Sequence, residues 1–502
     1  MTELLKILQP HRKTMTRISR RTFLKSASLA GTGASLFALT GPAVQGNVVG
    51  ANNRVRLAVA GAGGRGNDIA NNQFGKIEGV QVVAVVDADK KRASAVADRL
   101  KQNFGNTPDV YQDYRKILED KNVDAVYIAS SNYWHALMTI WGCQAGKDVY
   151  VEKPGSYNIF EGCQTAKAAK KYGRVVQLGT QRRSEARWAK TIAAVQKGKY
   201  GKLIAAKAYA NRPRGPFPYK PTMAPPEHID WDLWLGPAAK LDYHENLVPY
   251  NWHWFWETGN GEIGNNGVHF FDLCQRALGD RHPDSVVSFG ARFVKDKANN
   301  YKDHAETPTL HFALYDFGGI PLVFESCNLA GPKEKWKARE EAEFITEEGF
   351  IRGDNFVSKD GQTEKIDIEF TPPEPGGPFN NFINAVRDRE GVPLNAPIAK
   401  GRYAAAVCHW GNMAYRVGIS ADLKTCREKI GNNAIMQESI DLVLANLKDV
   451  FGDEVDIEKA IPWQCSDKLA IDRDNERFVD SAEGNKLLKR QPRAPFVVPD
   501  EV

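Results

Sequence analysis

Arg54-Val55-Arg56-Leu57-Ala58-Val59-Ala60, followed at once by Gly61-Ala62-Gly63-Gly64-Arg65-Gly66, decides the fold of this chain. The short apolar run between polar residues has the pattern of a parallel strand buried on both faces. The glycines after it are spaced G-x-G-x-x-G, and a helical stretch follows through Ile69. That spacing alone arises by chance roughly once per 3000 positions at an average glycine content of about 7%. Context makes it specific. A second apolar run, residues 82–86, ends in Asp87, where a dinucleotide-binding turn wants an acid.

Each position then has a physical task. Gly61 permits a tight turn, Gly63 lets backbone approach a pyrophosphate, and Gly66 lets helix and strand pack closely. Gly64 and Arg65 open the helix, whose free N–H groups face the phosphates. Asp87 accepts hydrogen bonds from ribose hydroxyls and repels a 2′-phosphate, which favours NAD over NADP. The neighbouring Lys90-Lys91-Arg92 either softens that preference or is a solvated helix start. Apolar runs at 125–129, 149–151 and 175–178 alternate with helical stretches at 133–144 and 159–172. The rhythm predicts a doubly wound, Rossmann-type α/β parallel sheet over residues 53–180.

Strand-like runs at 203–210, 285–294, 309–317 and 320–324 predict an α+β domain with an open, mainly antiparallel sheet over residues 181–418. Residues 419–502 read as an extension without a legible role, strand-like or loose beyond Arg490. The net charge of +6 is concentrated in residues 1–46, which carry seven Lys or Arg and one Glu, so the remainder is balanced. A balanced body lacks the basic surface that displaces counterions from nucleic acid, and no nucleic-acid partner is expected. The seven cysteines form no CxxC or Cys/His pair, so neither a metal site nor a disulfide framework is indicated.

Ser19-Arg20-Arg21-Thr22-Phe23-Leu24-Lys25, with a Gly- and Ala-rich apolar stretch to Leu39 and small residues to Gly46, resembles a twin-arginine (Tat) signal peptide. The resemblance implies passage through the Tat export machinery as a folded protein. The expected location is then periplasmic or otherwise extracytoplasmic, with an uncleaved membrane tether left open. A soluble nicotinamide pool is not expected there, so any NAD would be bound tightly and reused.

Ser130-Ser131-Asn132-Tyr133-Trp134-His135 and Gly146-Lys147-Asp148-Val149-Tyr150-Val151-Glu152-Lys153-Pro154 follow two of the sheet strands. Here the chain resembles the Gfo/Idh/MocA oxidoreductases, with Glu-Lys-Pro the most specific match. The resemblance covers about residues 53–418. It implies that Lys153 reaches both nicotinamide ribose and substrate hydroxyl, and that Ser130, Asn132, His135 and Glu152 lie near the cofactor. Residues 252–272 are similar to the family's glycine-rich turn before a catalytic histidine, which makes His269 the expected base. Asn265 stands four residues earlier, where many members have Asp. Asn can orient a hydroxyl but cannot accept its proton, which leaves Glu262 as a possible substitute acid.

Gln181 is expected near the nicotinamide, and Arg182, Arg212, Trp252 and His253 near the substrate. The aromatic cluster reads equally well as core packing, and Arg212 and Arg214 equally well as surface charge. The implied activity is oxidation of a secondary hydroxyl of a sugar, polyol or glycoside. Two alternatives stand beside it: redox-neutral glycosidase, lyase or epimerase chemistry through a transient keto-sugar, and non-catalytic sugar binding. A homo-oligomer is the family expectation.

Overall fold

The computed structural model describes residues 54–294, 303–329, 340–452, 456–491 and 493–502. The twin-arginine segment lies outside these residues. The first sheet contains β1 (Val55–Ala60), β2 (Val80–Val86), β3 (Asp109–Tyr111), β4 (Ala125–Ile128), β5 (Asp148–Glu152) and β6 (Val176–Gly179). All are parallel, in the order β3-β2-β1-β4-β5-β6. Every residue of β4 and β5 is buried, as apolar runs covered on both faces require. The connecting helices are α1 (Gly64–Asn72), α2 (Lys90–Phe104), α3 (Arg115–Glu119), α4 (Asn132–Gln144) and α5 (Ile159–Lys171).

The second domain adds α6 (Ala186–Gln196), α7 (Trp231–Leu235) and α8 (Val268–Leu278), the last preceded by a π-helical turn at Ile263–Gly267. Its sheet contains β7 (Leu203–Ala210), β8 (Ser285–Ala291), β9 (Leu310–Asp316), β10 (Pro321–Cys327), β11 (Glu340–Thr346), β12 (Gly349–Arg352), β13 (Asn355–Ser358) and β14 (Thr363–Lys365). The order is β14-β13-β12-β11-β7-β10-β9-β8, antiparallel except for the parallel pair β7–β10. Val268, Phe271 and Phe324 pack with Trp410 of a long later helix on one face of this sheet.

Two parts of the chain depart from a simple division at residue 180. Of α9 (Gly377–Arg387) and α10 (Ile398–Val417), the first returns to the parallel sheet and places Phe379 and Phe382 against Phe74 and Tyr150. Phe74 is fully buried there, and truncating such a ring costs about 3–5 kcal/mol. The expected loose extension is built into the fold instead. Helices α11 (Leu423–Lys429) and α12 (Ala434–Phe451) cover Phe289, Phe312 and Val323 on the other face of the antiparallel sheet. Short strands at Gln464–Cys465 and Leu469–Asp472 pair with β8. Beyond Arg490, Phe496 is buried against the first domain, because an aromatic ring there gains more from apolar contact than from solvent.

Two glycines set the first turn. Gly61 has φ +97°, and a Cβ there would stand 2.4 Å from the Ser130 nitrogen. A Cβ on Gly66 would stand 1.8 Å from the Gly61 carbonyl oxygen. Gly66→Ala is therefore expected to lower the unfolding free energy by about 2 kcal/mol or more, within the overpacking range. An unchanged urea midpoint would contradict this packing.

Candidate functional site

The order of the parallel sheet reverses between β1 and β4, which opens a crevice beyond their carboxyl ends. A cavity of about 360 Å³ occupies it. Gly61, Gly63, Gly64 and Arg65 line it together with Asp87, Ser130, His135, Glu152, Lys153 and Asn265. Asp87 follows β2 and Lys153 follows β5, three strand intervals apart, roughly 14 Å at the usual spacing. That span suits an extended two-ring ligand.

Gly63 caps α1, and a Cβ built there would meet nothing within 4 Å. Packing therefore does not demand glycine at this position; the open space faces the cavity. The first N–H groups of α1 have no partner within the helix and are available to an anion. Asp87 fastens this turn, accepting from the Ala62 nitrogen at 2.6 Å and the Asp89 nitrogen at 2.8 Å. Burial pushes its carboxyl above the ordinary range, against those two bonds. Arg92, also in the lining, is engaged by Asp89 at 3.1 Å. Arg65 Nε meets Glu152 Oε1 at 2.9 Å, and the Tyr127 hydroxyl donates to the same oxygen at 3.2 Å.

At the other end, Lys153 Nζ donates to the Asn265 carbonyl oxygen at 2.5 Å and to its Oδ1 at 3.0 Å. Asn265 sits in the π-helical turn, and its Nδ2 donates to Glu262 Oε2 at 3.3 Å and the Tyr250 hydroxyl at 3.4 Å. Glu262 is buried and held by Arg214 through two bonds of 3.0 and 3.1 Å. Burial raises the Glu262 carboxyl and Arg214 opposes it. Glu262, the possible substitute acid, thus stands behind Asn265 and beside Arg214 and not in the cavity lining. Arg214 accordingly serves this carboxylate. Lys153 is drawn below its ordinary value by burial, with Glu152 and Glu262 opposing.

Two imidazoles line the cavity, His135 and His253, while His269 is not in the lining. His253 Nδ1 lies 2.6 Å from the Tyr250 carbonyl oxygen, which can only accept. Nδ1 therefore carries the hydrogen, and Nε2 is left as an acceptor with no partner among the described residues. Burial lowers His253 to about 3 and His135 to about 4, the charge of Lys153 adding to the effect at both. His269 is held well below its ordinary value by burial, then by the charges of Lys153, Arg182 and Arg65.

Other expected residues lie outside the cavity. Asn132 is buried and donates to Asn260 Oδ1 at 2.5 Å, joining the two domains. Gln181 approaches Glu152 at 3.4 Å. The Arg182 guanidinium stacks 4.5 Å from the Phe270 centroid, and Arg212 is exposed. The aromatic cluster divides: Trp252 stacks on His253 at 3.6 Å in the lining, whereas Trp254 packs with Phe217 and Ala305 in a small core. The sequence reading missed Tyr250, Trp134 and Trp234, all in the lining. No local pattern separates such rings from core aromatics.

Residues 55–180 match the Gfo/Idh/MocA family model described as oxidoreductase family, NAD-binding Rossmann fold. Residues 218–309 match the model of its C-terminal alpha/beta domain. The scyllo-inositol 2-dehydrogenase (NAD(+)) of Bacillus subtilis (strain 168) is 31% identical over 156 residues, 31% of this chain and 44% of that relative. A glycosyl hydrolase family 109 protein of Solibacter usitatus (strain Ellin6076) is 33% identical over 155 residues, 29% of this chain and 35% of that relative. The chain thus spans less than half the length of these curated relatives. The WlbA dehydrogenase from Chromobacterium violaceum, solved with NADH and UDP-GlcNAcA, superposes with a TM-score of 0.53 at 18% identity. That overlap covers 73% of this chain and 94% of the other, a likeness of fold.

Two outcomes follow from this geometry. Gly63→Ala should leave the urea midpoint unchanged and weaken NAD binding by about tenfold, a cost of about 1.4 kcal/mol; equal affinity would contradict the cradle. His253 and His135 should remain neutral at pH 5.5 in ¹⁵N-histidine spectra, and an imidazolium signal from either would contradict their burial. Both folded values lie below the unfolded 6.5, so unfolding takes up protons. Their stability contribution is full above pH 6.5 and is lost as the pH falls toward 4 and 3.

Proposed function

We propose that this chain, which over residues 55–180 and 218–309 matches the Gfo/Idh/MocA oxidoreductase family models, oxidises a secondary hydroxyl of a sugar, polyol or glycoside. The observation that carries the reading is the Lys153–Asn265 pair, set in the same cavity as the open Gly63 turn. NAD, when bound, supplies the hydride acceptor. Gly63, Gly64 and the α1 N-terminus would hold its pyrophosphate, and Asp87 its ribose.

Lys153 is the central proton-handling group. Its lowered pKa increases the neutral fraction near neutrality, and Asn265 fixes its ammonium or amine at the cavity wall. Asn265 orients without accepting a proton, so the substrate hydroxyl proton passes to Lys153, while His253 Nε2 can accept a hydrogen bond from a substrate hydroxyl. Trp252 and His253 together offer a flat surface to a sugar ring.

Residues 1–46 direct export in this account, so the cofactor is captured before export and retained. Captive NADH must give its hydride back, which supports the second reading, redox-neutral chemistry on a glycoside. The family 109 glycosyl hydrolase relative favours it, as does Tyr250, whose phenol adds a second proton-transfer group beside Asn265.

Lys153→Met should lower kcat by about 10²–10⁴-fold, the usual contribution of a proton-transfer group, with fold and NAD content intact. Full turnover would defeat the mechanism. Asn265→Asp should shift the pH profile, because it places a carboxylate 3.0 Å from Lys153 Nζ and raises the lysine pKa. An identical profile would place Asn265 outside the proton path. His253→Ala should cost more in kcat than His269→Ala; the reverse order would return the base role to His269.

A further inference from the structure

Part of the cavity wall is made of pieces that cannot hold themselves. Trp134 comes from the first turn of α4, and Leu233 and Trp234 from α7. Helix α7 has five residues, too few for any helical stability of its own, so tertiary bonds must place it. Trp134 Nε1 donates to the Leu233 and Trp234 carbonyls at 3.2 and 3.1 Å, and the Tyr133 hydroxyl donates to the latter at 2.6 Å. A Cβ on Gly236, just after α7, would stand 2.1 Å from the Trp134 ring, so the contact there is close.

Further support comes from the far end of the sequence. Phe496, 3% exposed, meets the Trp134 ring edge-on at 5.3 Å and 75°. Arg493 lies 4.8 Å from the Phe496 ring centroid and binds both Gly236 and Asp232: Nε donates to the Gly236 carbonyl, Nη1 to Asp232 Oδ1 at 2.6 Å, and Nη2 to the Asp232 carbonyl at 2.9 Å. This segment is itself pinned on both sides. Arg490 stands 3.5 Å over the Tyr157 ring and pairs with Glu257 at 2.7 Å, while Gln164 Nε2 donates to the Pro499 carbonyl at 2.8 Å.

We propose that residues 493–502 form a strap that sets the Trp134–Trp234 wall against a bound dinucleotide, with Phe496 and Arg493 as its positioning residues. Neither side chain lines the cavity. Their contacts fall on the two elements whose spacing fixes the width of that wall. An aromatic wall of set width favours planar rings and slows their departure, which is the property a captive cofactor needs. The inference rests on the dinucleotide reading of the cavity.

The test is equilibrium titration and stopped-flow release of NADH, followed by tryptophan fluorescence, on the full chain and its variants, beside kcat at saturating NAD and thermal unfolding. Phe496→Ala is expected to raise the NADH Kd about tenfold, mainly through faster release, with kcat unchanged, and Phe496→Tyr to restore wild-type binding. A Kd equal to wild type in Phe496→Ala overturns the strap, as does loss of kcat at saturating cofactor without loss of affinity. Where Phe496→Ala does not fold, Arg493→Lys removes the guanidinium fork and keeps the charge; unchanged release from that variant overturns the proposal equally. A wild-type chain that binds no NADH overturns the dinucleotide reading itself, and the strap with it.

Discussion

Lys153 Nζ on the turn after β5 and the carbonyl and amide oxygens of Asn265 before α8 meet across the two domains, and the site depends on that contact. An ammonium drawn out of water needs acceptors within bonding distance, or it loses its proton or its place. Asn265 supplies two. Its own amide is in turn directed by Glu262, which Arg214 holds, so a line of four polar side chains fixes one nitrogen at the edge of the cavity. The π-helical turn at Ile263–Gly267 belongs to this arrangement, since such bulges re-aim residues at the start of a helix.

The same low-polarity surroundings decide the charge of everything nearby. Desolvation keeps His135, His253 and His269 neutral, and the adjacent lysine charge reinforces the effect. Neutral rings keep a nitrogen lone pair that can accept a hydrogen bond; imidazolium rings would not. Asn at position 265 fits this balance. An aspartate there would add a third carboxylate beside Lys153, after Glu152 and Glu262, and hold the lysine more firmly charged.

The parts of the structure legible in the sequence are those whose causes are local. The strand at 55–60, the glycine turn and Asp87 lie within one short unit, and Gly66 answers to a contact inside it, the Gly61 carbonyl. Glu152-Lys153-Pro154 follows the end of a fully buried strand, so its place was fixed by pattern. The parts that were not legible depend on contacts between distant residues. Asn132 was expected near the cofactor from the family resemblance alone, and the bond from its amide nitrogen to Asn260 joins residues far apart in the sequence. His269 follows Asn265 by four residues, but the imidazoles that line the cavity are His135 and His253, the latter carried by a short turn before it. The Phe379 and Phe382 contacts with the first sheet, and the Phe496 contact with Trp134, join segments that no periodicity connects.

The central proposal is that this chain keeps a nicotinamide dinucleotide as a resident part of its site. The most direct measurement is mass spectrometry of the small molecules released on denaturing the full chain, purified without added cofactor. The account predicts NAD or NADH in near-stoichiometric amount. Protein that releases neither, and that takes up none when NAD is added back, would contradict it and leave a sugar-binding role on the same fold.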